Sequence, residues 1–217
     1  NLNLDLDEVE RVLKNDTDRE IKAIMFAHVL GNPPDMERLM SLVEEYDLFF
    51  FEDACDALGS YYKGKKLGSF GDMSTCSFFP AHHMTMGEGG VITTNDPEVA
   101  AKCRLFRNHG MHSRPDEFVN KDLAFGPSGT ANVWYYEMSE IGLNYRVSDI
   151  NCALGLSQLK KLDHFVAERR RLARLYDDLL SPLAPTVESV TKTPFCDPAP
   201  PLYSVLINFD AIGFSRA

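Results

Sequence analysis

The chain has 217 residues, of which 44% are hydrophobic and 25% are charged, as in ordinary globular proteins. Its 22 basic and 32 acidic residues give a formal net charge of -10, which argues against a nonspecific nucleic-acid surface and against an anionic membrane surface. No apolar run reaches the roughly 18 residues that a membrane span needs, and the amino terminus lacks a signal-peptide pattern, so we expect a cytoplasmic protein without a membrane partner.

The cysteines and the chain ends give two further expectations. The 5 cysteines form no Cys-x-x-Cys pair, and an odd, scattered set is not a disulfide framework, so we expect small buried residues. Residues 1–6 (NLNLDL) alternate in polarity as a strand does, and there is no initiator methionine. Both ends therefore look cut from something longer.

A strand, a helix and a second strand are predicted in the first quarter of the chain. Asp7 is expected to cap a short helix before them. Residues 21–30 (IKAIMFAHVL) are nearly all apolar, which is typical of a parallel strand buried on both faces. Asp35 is placed to cap the next helix, and residues 48–51 (LFFF) form the second strand. This order predicts a βαβ unit.

Two carboxylates follow the second strand. In open α/β sheets the ligand lies beyond the carboxyl ends of the strands, so Asp53 is well placed to meet one, and Asp56 follows it closely. Asp53 could equally be the N-cap of a helix, and for Asp56 the capping role is favoured. On these residues alone both interpretations stay open.

A polar loop with two adjacent histidines, His82 and His83, joins two more predicted strands at residues 73–79 and 91–94. Neighbouring residues of an extended segment point to opposite sides, so these histidines are poor joint ligands for one metal ion. The loop by itself fits either a binding loop or a solvated turn.

The second half begins with a helix predicted from Asp96-Pro97 to about Phe106. Residues 107–147 are irregular, and a loop of that length inside a compact domain is usually functional. Ser148 is expected to cap a strongly amphipathic helix, with Ala153, Leu154, Leu156, Leu159 and Leu162 on its apolar side.

A second long helix carries three consecutive arginines, from Arg169 to Arg171, which we interpret as a solvated face. The proline-rich residues 182–201 then lead into a predicted strand within residues 202–209, as a connection into a second domain does.

Taken together, the ordered motifs resemble those of the DegT/DnrJ/EryC1/StrS sugar aminotransferases. The motifs are HVLGNPPDM, FFEDACDALGS, GSFGDMSTCSFF followed by GEGGVITTND, FRNHG, and GLNYRVSDINCALGLSQLKKLD. The resemblance implies an α/β fold of the aspartate aminotransferase type, PLP fold type I, with a mostly parallel sheet between helices. Residues 1–164 would form part of the large cofactor-binding domain, and residues 165–217 a linking helix and the start of a small α+β domain.

The resemblance also implies a cofactor, pyridoxal 5'-phosphate or pyridoxamine 5'-phosphate, and a homodimer with a shared active site. Asp53 would pair with the pyridinium nitrogen and keep it protonated, so that the ring acts as an electron sink. Ser77 would bind the cofactor phosphate, and Asp56 would lie near the cofactor phenol oxygen. Asn144 would reach the phosphate in the partner subunit's site.

His82 stands where the aminotransferases of this family have the lysine that holds the cofactor as a Schiff base. Imidazole cannot form that imine but can move protons near neutral pH. In this respect the loop PAHHMTMGEGG resembles the 3-dehydratases of the family, which remove the 3-hydroxyl from nucleotide-linked 4-keto-6-deoxyhexoses on the way to 3,6-dideoxysugars. His82 would be the catalytic base, and the substrate would be CDP- or GDP-linked.

Some of these dehydratases also hold an iron–sulfur cluster. Counted from Cys55, the other three ligands would fall on Ser113, Pro115 and Leu123, none of which supplies a thiolate. We therefore expect no cluster and no other metal.

Two alternatives remain open. The protein could be a nucleotide-sugar aminotransferase that uses another lysine, for which Lys63, Lys65 and Lys66 are nearby, or a cofactor-binding protein without catalysis. A Schiff base trapped on one of these lysines would favour the first, and cofactor binding without turnover the second.

Overall fold

The computed structural model describes residues 2–215. The helices are α1 (Leu6–Asn15), α2 (Met36–Tyr46), α3 (Pro97–Arg107), α4 (Lys121–Ala124), α5 (Asp149–Leu159), α6 (Leu162–Leu180) and α7 (Phe209–Ile212). The strands are β1 (Ala23–Ala27), β2 (Phe49–Asp53), β3 (Tyr61–Tyr62), β4 (Lys65–Lys66), β5 (Met73–Ser77), β6 (Gly90–Thr94), β7 (Met111–His112), β8 (Glu137–Met138), β9 (Val187–Ser189), β10 (Cys196–Asp197) and β11 (Val205–Ile207).

The main sheet has the strand order β1-β2-β5-β6. The first three strands are parallel, with Asp53 of β2 opposite Ala27 of β1 on one side and opposite Thr75 of β5 on the other. β6 lies beside β5, where Ser74 Oγ and Thr93 Oγ1 are 3.0 Å apart. The predicted βαβ unit and the α/β fold class are confirmed.

Helices α1 and α2 cover one face of this sheet. α2 begins as predicted, because Asp35 accepts hydrogen bonds from the backbone N–H groups of Glu37 (3.1 Å) and Arg38 (3.2 Å). Burying a large apolar side chain contributes about 1.5 to 3 kcal/mol, so this apolar layer stabilises the sheet on that face. Its buried apolar residues include Leu6, Leu13, Phe26, Met36, Leu39, Leu42, Val43, Leu48 and Phe50.

The start of the chain differs from the prediction. Within the described residues 2–5 there is no strand, and Asp5, not Asp7, caps α1 by accepting from the N–H groups of Asp7 (3.0 Å) and Glu8 (3.3 Å). The alternating pattern was misleading because Leu6 already belongs to the helix. Asn1 lies outside the described residues.

β1 is a strand as predicted, but it is not buried on both faces. Phe26 is buried, whereas Met25 on the other side of the strand is 62% exposed. β1 is an edge strand of the sheet, and α1 and α2 pack on only one face of that sheet. Composition could not distinguish this one-sided burial from a strand covered on both sides.

The predicted apolar face of α5 is also exposed. Leu154 is 41% and Leu156 is 65% exposed, and the buried position of this helix is Gly155. The helix itself begins at Asp149, directly after the predicted cap.

The described chain divides into two compact units. One comprises the residues up to Thr93 together with those from Asp149 onward, and the other is Thr94–Ser148. The second unit begins with α3, capped by Asp96 as predicted, and continues in short elements joined by loops. The predicted domain boundary at residues 164 and 165 falls inside α6 and stays a prediction. Across the described range, no helix has both the length and the apolar character of a membrane span.

Candidate active site at the strand ends

Polar side chains lie where β2 and β5 end side by side. Asp53 is the last residue of β2, and Ser77 ends β5 about 7 Å beyond Thr75, the residue that pairs with Asp53. Asp53 Oδ1 accepts a hydrogen bond from the N–H of Cys55 at 3.0 Å. Ser77 Oγ accepts one from the N–H of Phe79 at 3.2 Å. Both side chains are thus oriented by the turn that follows their own strand.

Two thiols, Cys55 and Cys76, lie beside these groups and are unreactive. Burial raises the pKa of Cys55 to about 11, and the neighbouring Asp53 carboxylate adds to the increase. Burial likewise raises the pKa of Cys76 to about 12. Both thiols therefore stay protonated at neutral pH and are poor nucleophiles. Within residues 2–215, no cluster of three or more His, Cys, Asp or Glu side chains is arranged to hold a metal ion.

The loop after β5 holds His82 close to Asp56. The N–H of His82 donates to the carbonyl oxygen of Phe79 at 3.0 Å, which closes a turn just after the strand. His82 Nδ1 then lies 3.2 Å from Asp56 Oδ1, at ion-pair distance. The pair is not aligned as a hydrogen bond, so this buried nitrogen has no hydrogen-bond partner in the described residues. The structure thus brings two predicted site residues together.

His83 is held quite differently from its neighbour. It is 2% exposed, and its Nε2 donates to the carbonyl oxygen of Ala199. Burial lowers the pKa of His83, and the opposing effect of the Ala199 carbonyl does not compensate for it. His83 is therefore a neutral, internal histidine, whereas the His82 side chain remains 20% exposed beside a carboxylate.

Two arginines of α6 donate to main-chain carbonyl groups of other segments, and one of them, Arg169, contacts the histidine loop. Arg169 donates from Nη2 to the carbonyl oxygen of His82 (3.0 Å) and from Nη1 to that of Pro201 (2.7 Å). Arg170 donates to the carbonyl oxygen of Gly59 at 2.8 Å. The prediction of a solvated arginine face is wrong for these two residues, because their acceptors come from segments far away in the sequence.

α5 holds the other end of the loop. Asn151 Nδ2 donates to the carbonyl oxygens of Met86 (2.5 Å) and Glu88 (3.2 Å). A Cβ atom at Gly155 would lie 2.7 Å from Met86 Cγ, so the helix approaches the loop closely at that glycine. Sequence reasoning did not single out Asn151 or Gly155. Their place in the motif SDINCALG was the available signal.

Asn144, the remaining predicted site residue, belongs to the second unit. There it is exposed and forms an isolated β-bridge with Asn108. Its role toward a partner subunit stays a prediction.

A parallel sheet with carboxylate, hydroxyl and imidazole groups beyond its strand ends defines an α/β protein of the kind that binds a ligand at that edge. The family model described as the DegT/DnrJ/EryC1/StrS aminotransferase family matches residues 1–210, and the chain belongs to this family. The resemblance seen in the motifs is confirmed.

Two relatives illustrate the range of activities in the family. The chain is 38% identical over 202 residues to dTDP-4-dehydro-2,6-dideoxy-D-glucose 3-dehydratase of Saccharopolyspora spinosa, covering 90% of this chain and 43% of that one. It is 40% identical over 176 residues to UDP-4-amino-4,6-dideoxy-N-acetyl-beta-L-altrosamine transaminase of Campylobacter jejuni, covering 81% and 42%. The chain spans about half the length of the relatives it matches.

Among solved structures, the chain is similar to GDP-4-keto-6-deoxy-D-mannose-3-dehydratase of Escherichia coli with bound hydrated PLP. The TM-score is 0.75 with 26% identity, covering 94% of this chain and 51% of that one. This likeness confirms the predicted aspartate aminotransferase-like fold, PLP fold type I.

Proposed function

We propose that this protein is a dehydratase that uses pyridoxal or pyridoxamine 5'-phosphate to remove the 3-hydroxyl from a nucleotide-linked 4-keto-6-deoxyhexose. The observation that carries the proposal is His82, an imidazole set 3.2 Å from a carboxylate in a loop, residues 77–90, that contains no lysine. A side chain that moves protons but forms no imine suits elimination and does not suit lysine-bound transamination.

The polar groups at the strand ends fit the cofactor. Asp53 uses one oxygen for the Cys55 N–H, and a carboxylate has further lone pairs that accept from a protonated ring nitrogen. Ser77 accepts from the Phe79 N–H through its oxygen, which leaves the hydroxyl hydrogen for a phosphate. When bound, pyridoxamine phosphate supplies an amino group and a ring that takes up electrons.

The chain's own contribution to the reaction is placement and proton transfer. The Phe79 carbonyl accepts from the His82 N–H and Arg169 donates to the His82 carbonyl oxygen, so the main chain that carries the imidazole is held at both of its polar groups. With pyridoxamine phosphate bound, His82 would accept through Nε2 a proton from the carbon that bears the cofactor's amino group and would give it to the departing 3-hydroxyl, which leaves as water. Because His82 makes no covalent bond to the cofactor, the cofactor amine stays available to the sugar.

The test uses the complete protein with pyridoxamine phosphate and a panel of 4-keto-6-deoxyhexoses. CDP- and GDP-linked sugars are our expected substrates, and the dTDP-linked sugar named for the Saccharopolyspora relative belongs in the same panel. We expect a 3-deoxy product, identified by NMR of the C3 protons. A cofactor-loaded protein that converts none of these sugars would instead support the non-catalytic alternative.

A nucleotide-sugar aminotransferase is the second candidate, favoured by the 40% identity to the Campylobacter transaminase. It predicts transfer of an amino group to C4 with the 3-hydroxyl retained, and a borohydride-trapped cofactor on a lysine. Of the nearby lysines, Lys63 pairs with Glu37 at 2.7 Å, and Lys65 lies 4.2 Å from the centre of the Phe70 ring. These partners compete with a role at the cofactor.

The proposal includes a homodimer with shared active sites, in which Asn144 serves the phosphate of the partner's cofactor. The free state of the cysteines supports a reducing, cytoplasmic setting. The same proposal assigns residues 1–164 to part of the large cofactor-binding domain, and residues 165–217 to a linking helix and the start of the small domain. Sedimentation of the complete wild-type protein and of its Asn144→Ala variant measures dimerisation, and a separate titration measures cofactor affinity.

A further inference from the structure

We infer that Asp56 is a positioning residue for His82, holding the imidazole in the tautomer with its proton on Nδ1, an inference that rests on the proposed role of His82. The expected place of Asp56 beside the cofactor phenol oxygen is chemically unfavourable. An ionised carboxylate only accepts hydrogen bonds, and next to an anionic phenol oxygen it would meet a like charge. Facing an imidazole N–H, the same carboxylate is well matched.

The turn that carries Asp56 is rigid. The N–H of Ala57 donates to the carbonyl oxygen of Ala54 at 3.0 Å, and Ala57 is 1% exposed. Gly31 packs against this turn with φ of +68°, and a Cβ atom there would lie 3.1 Å from the Asp56 carbonyl oxygen and 2.3 Å from Ser60 Oγ. The Asp56 main chain therefore has little freedom to move away from His82.

The His82 main chain is held equally well, which leaves the ring as the adjustable part. Its N–H donates to Phe79, its carbonyl accepts from Arg169, and the next residue, His83, is anchored to Ala199. Nδ1 already lies 3.2 Å from Asp56 Oδ1, which is within hydrogen-bond distance, so what the pair lacks is the angle of the N–H and not proximity. Catalytic hydrogen bonds are often poorly aligned without substrate and become aligned in the complex.

The consequence concerns the opposite ring nitrogen. A neutral imidazole carries one proton, so fixing it on Nδ1 leaves Nε2 with the lone pair that accepts a proton. Without Asp56 the two tautomers are free to exchange, and part of the enzyme presents an N–H where a base is needed. The same loss of tautomer control is what removing the carboxylate does to other His–carboxylate pairs.

The first measurement is made without substrate. Histidine ¹⁵N NMR of the complete protein at alkaline pH, where imidazoles are neutral, distinguishes protonated from unprotonated ring nitrogens. The chain has 6 histidines, so the spectrum of His82→Asn identifies the His82 signals. We expect a protonated Nδ1 and an unprotonated Nε2 in the wild type, and a mixture in Asp56→Asn. A wild-type His82 protonated on Nε2, or an unchanged tautomer in Asp56→Asn, overturns the inference.

The second measurement is kinetic. Asp56→Asn is expected to lower kcat about 10²-fold or more while KM and the cofactor Kd change less than about threefold, and Asp56→Glu should recover part of the loss. Weaker cofactor binding with normal kcat at saturating cofactor would assign Asp56 to the cofactor instead. If Asp56→Asn does not fold, the wild-type spectrum and Asp56→Glu decide. If the wild type converts no sugar, the proposed function fails while the NMR result still decides the role of Asp56.

Discussion

Arg169 of α6 donates from Nη2 to the main-chain carbonyl of His82 at 3.0 Å. The other end of the same guanidinium group donates to the Pro201 carbonyl at 2.7 Å, so one half-buried side chain links the histidine loop to the proline-rich segment. A planar guanidinium with fixed donors can serve two carbonyls at once, whereas an ammonium group presents its charge at a single point. The position of the proposed base therefore depends on a residue that does not belong to its loop.

Replacing Arg169 with Gln should destabilise the protein and displace His82. Hydrogen bonds from a charged group contribute about 1.5 to 3 kcal/mol each, so we expect at least that loss in the free energy of unfolding, measured by urea denaturation. The matched control is Arg171→Gln on the same helix. Arg171 is exposed and pairs with Glu168 at 2.9 Å, and an exposed pair of this kind is worth about 0.3 to 0.5 kcal/mol. Equal effects of the two substitutions would contradict the anchoring role of Arg169.

The arginine run shows what the sequence could and could not predict. Three consecutive helical residues point in different directions, so a run of like charges says nothing about which of them meets a partner. The acceptors of Arg169 are supplied by residues 82 and 201, and such long-range contacts leave no local pattern. The predicted solvated face was accordingly correct for Arg171 alone.

The βαβ unit, by contrast, could be predicted, since strand and cap signals are local. Asp35 caps α2 as expected, and β2 extends two residues beyond the predicted strand and ends at Asp53. The family motifs placed Asp56 and His82 in the site, but their 3.2 Å separation is a tertiary fact. Burial was the least predictable property. Met25 has the character of a core residue in the sequence, yet it is 62% exposed. The elements that cover a strand are distant in the sequence, so the strand's own residues do not show whether both of its faces are covered.

Substitution of His82 should separate chemistry from binding. His82→Asn is expected to retain pyridoxamine phosphate, since Asp53 and Ser77 are untouched, and to lower the dehydration rate about 10² to 10⁴-fold as general-base catalysis is lost. His82→Lys should instead give a borohydride-reducible bond to the cofactor and some transamination. Cofactor titration followed by single-turnover kinetics measures the two effects.

His83→Asn is the informative comparison for that experiment. His83 is buried and bonded to the Ala199 carbonyl, so its loss should lower thermal stability with a much smaller effect on the rate per folded, cofactor-loaded site. Dehydration that survives in His82→Asn but disappears in His83→Asn would show that the wrong histidine had been assigned as the base.

Glu52 is expected to be among the most sensitive positions for stability. Its side chain is 0% exposed and accepts hydrogen bonds from His28 Nε2 (2.8 Å) and from the N–H groups of Gly68 (2.9 Å), Phe70 (2.6 Å) and Gly71 (2.6 Å). Glu52→Gln places amide hydrogens against some of these donors, and each buried donor left unsatisfied typically costs about 1 to 3 kcal/mol. We expect a loss of that size in urea denaturation at pH 7.

Glu37→Gln provides the control for Glu52. Glu37 pairs with Lys63 at 2.7 Å, but its side chain is 66% exposed, so the expected change is below about 1 kcal/mol.

Burial alone would raise the pKa of Glu52, but the His28 bond and the backbone N–H groups outweigh it and lower the pKa overall. The stabilisation that ionised Glu52 contributes is therefore present above its unfolded pKa of about 4.3. It is lost as the pH falls through the lower pKa of Glu52 in the folded protein. A steeper acid loss in Glu52→Gln than in the wild type would contradict this.

His83 is expected to make the folding stability of the protein sensitive to acid. Burial lowers the pKa of His83, the Ala199 carbonyl opposes that shift, and the positive charge of Arg169 reinforces it. Of the smaller influences, Asp56 raises the pKa and His82 lowers it. A histidine whose folded pKa is depressed binds fewer protons in the folded than in the unfolded protein. Folding stability therefore decreases as the pH falls below the unfolded value of about 6.5 and reaches its lower limit below the folded pKa. His83→Gln keeps a donor for the Ala199 carbonyl but does not titrate. Between pH 7.5 and 5.5 the Tm of the wild type should fall more steeply than that of His83→Gln, measured by calorimetry on the complete protein. Parallel curves for the two proteins would show that His83 is not protonated on unfolding in this range.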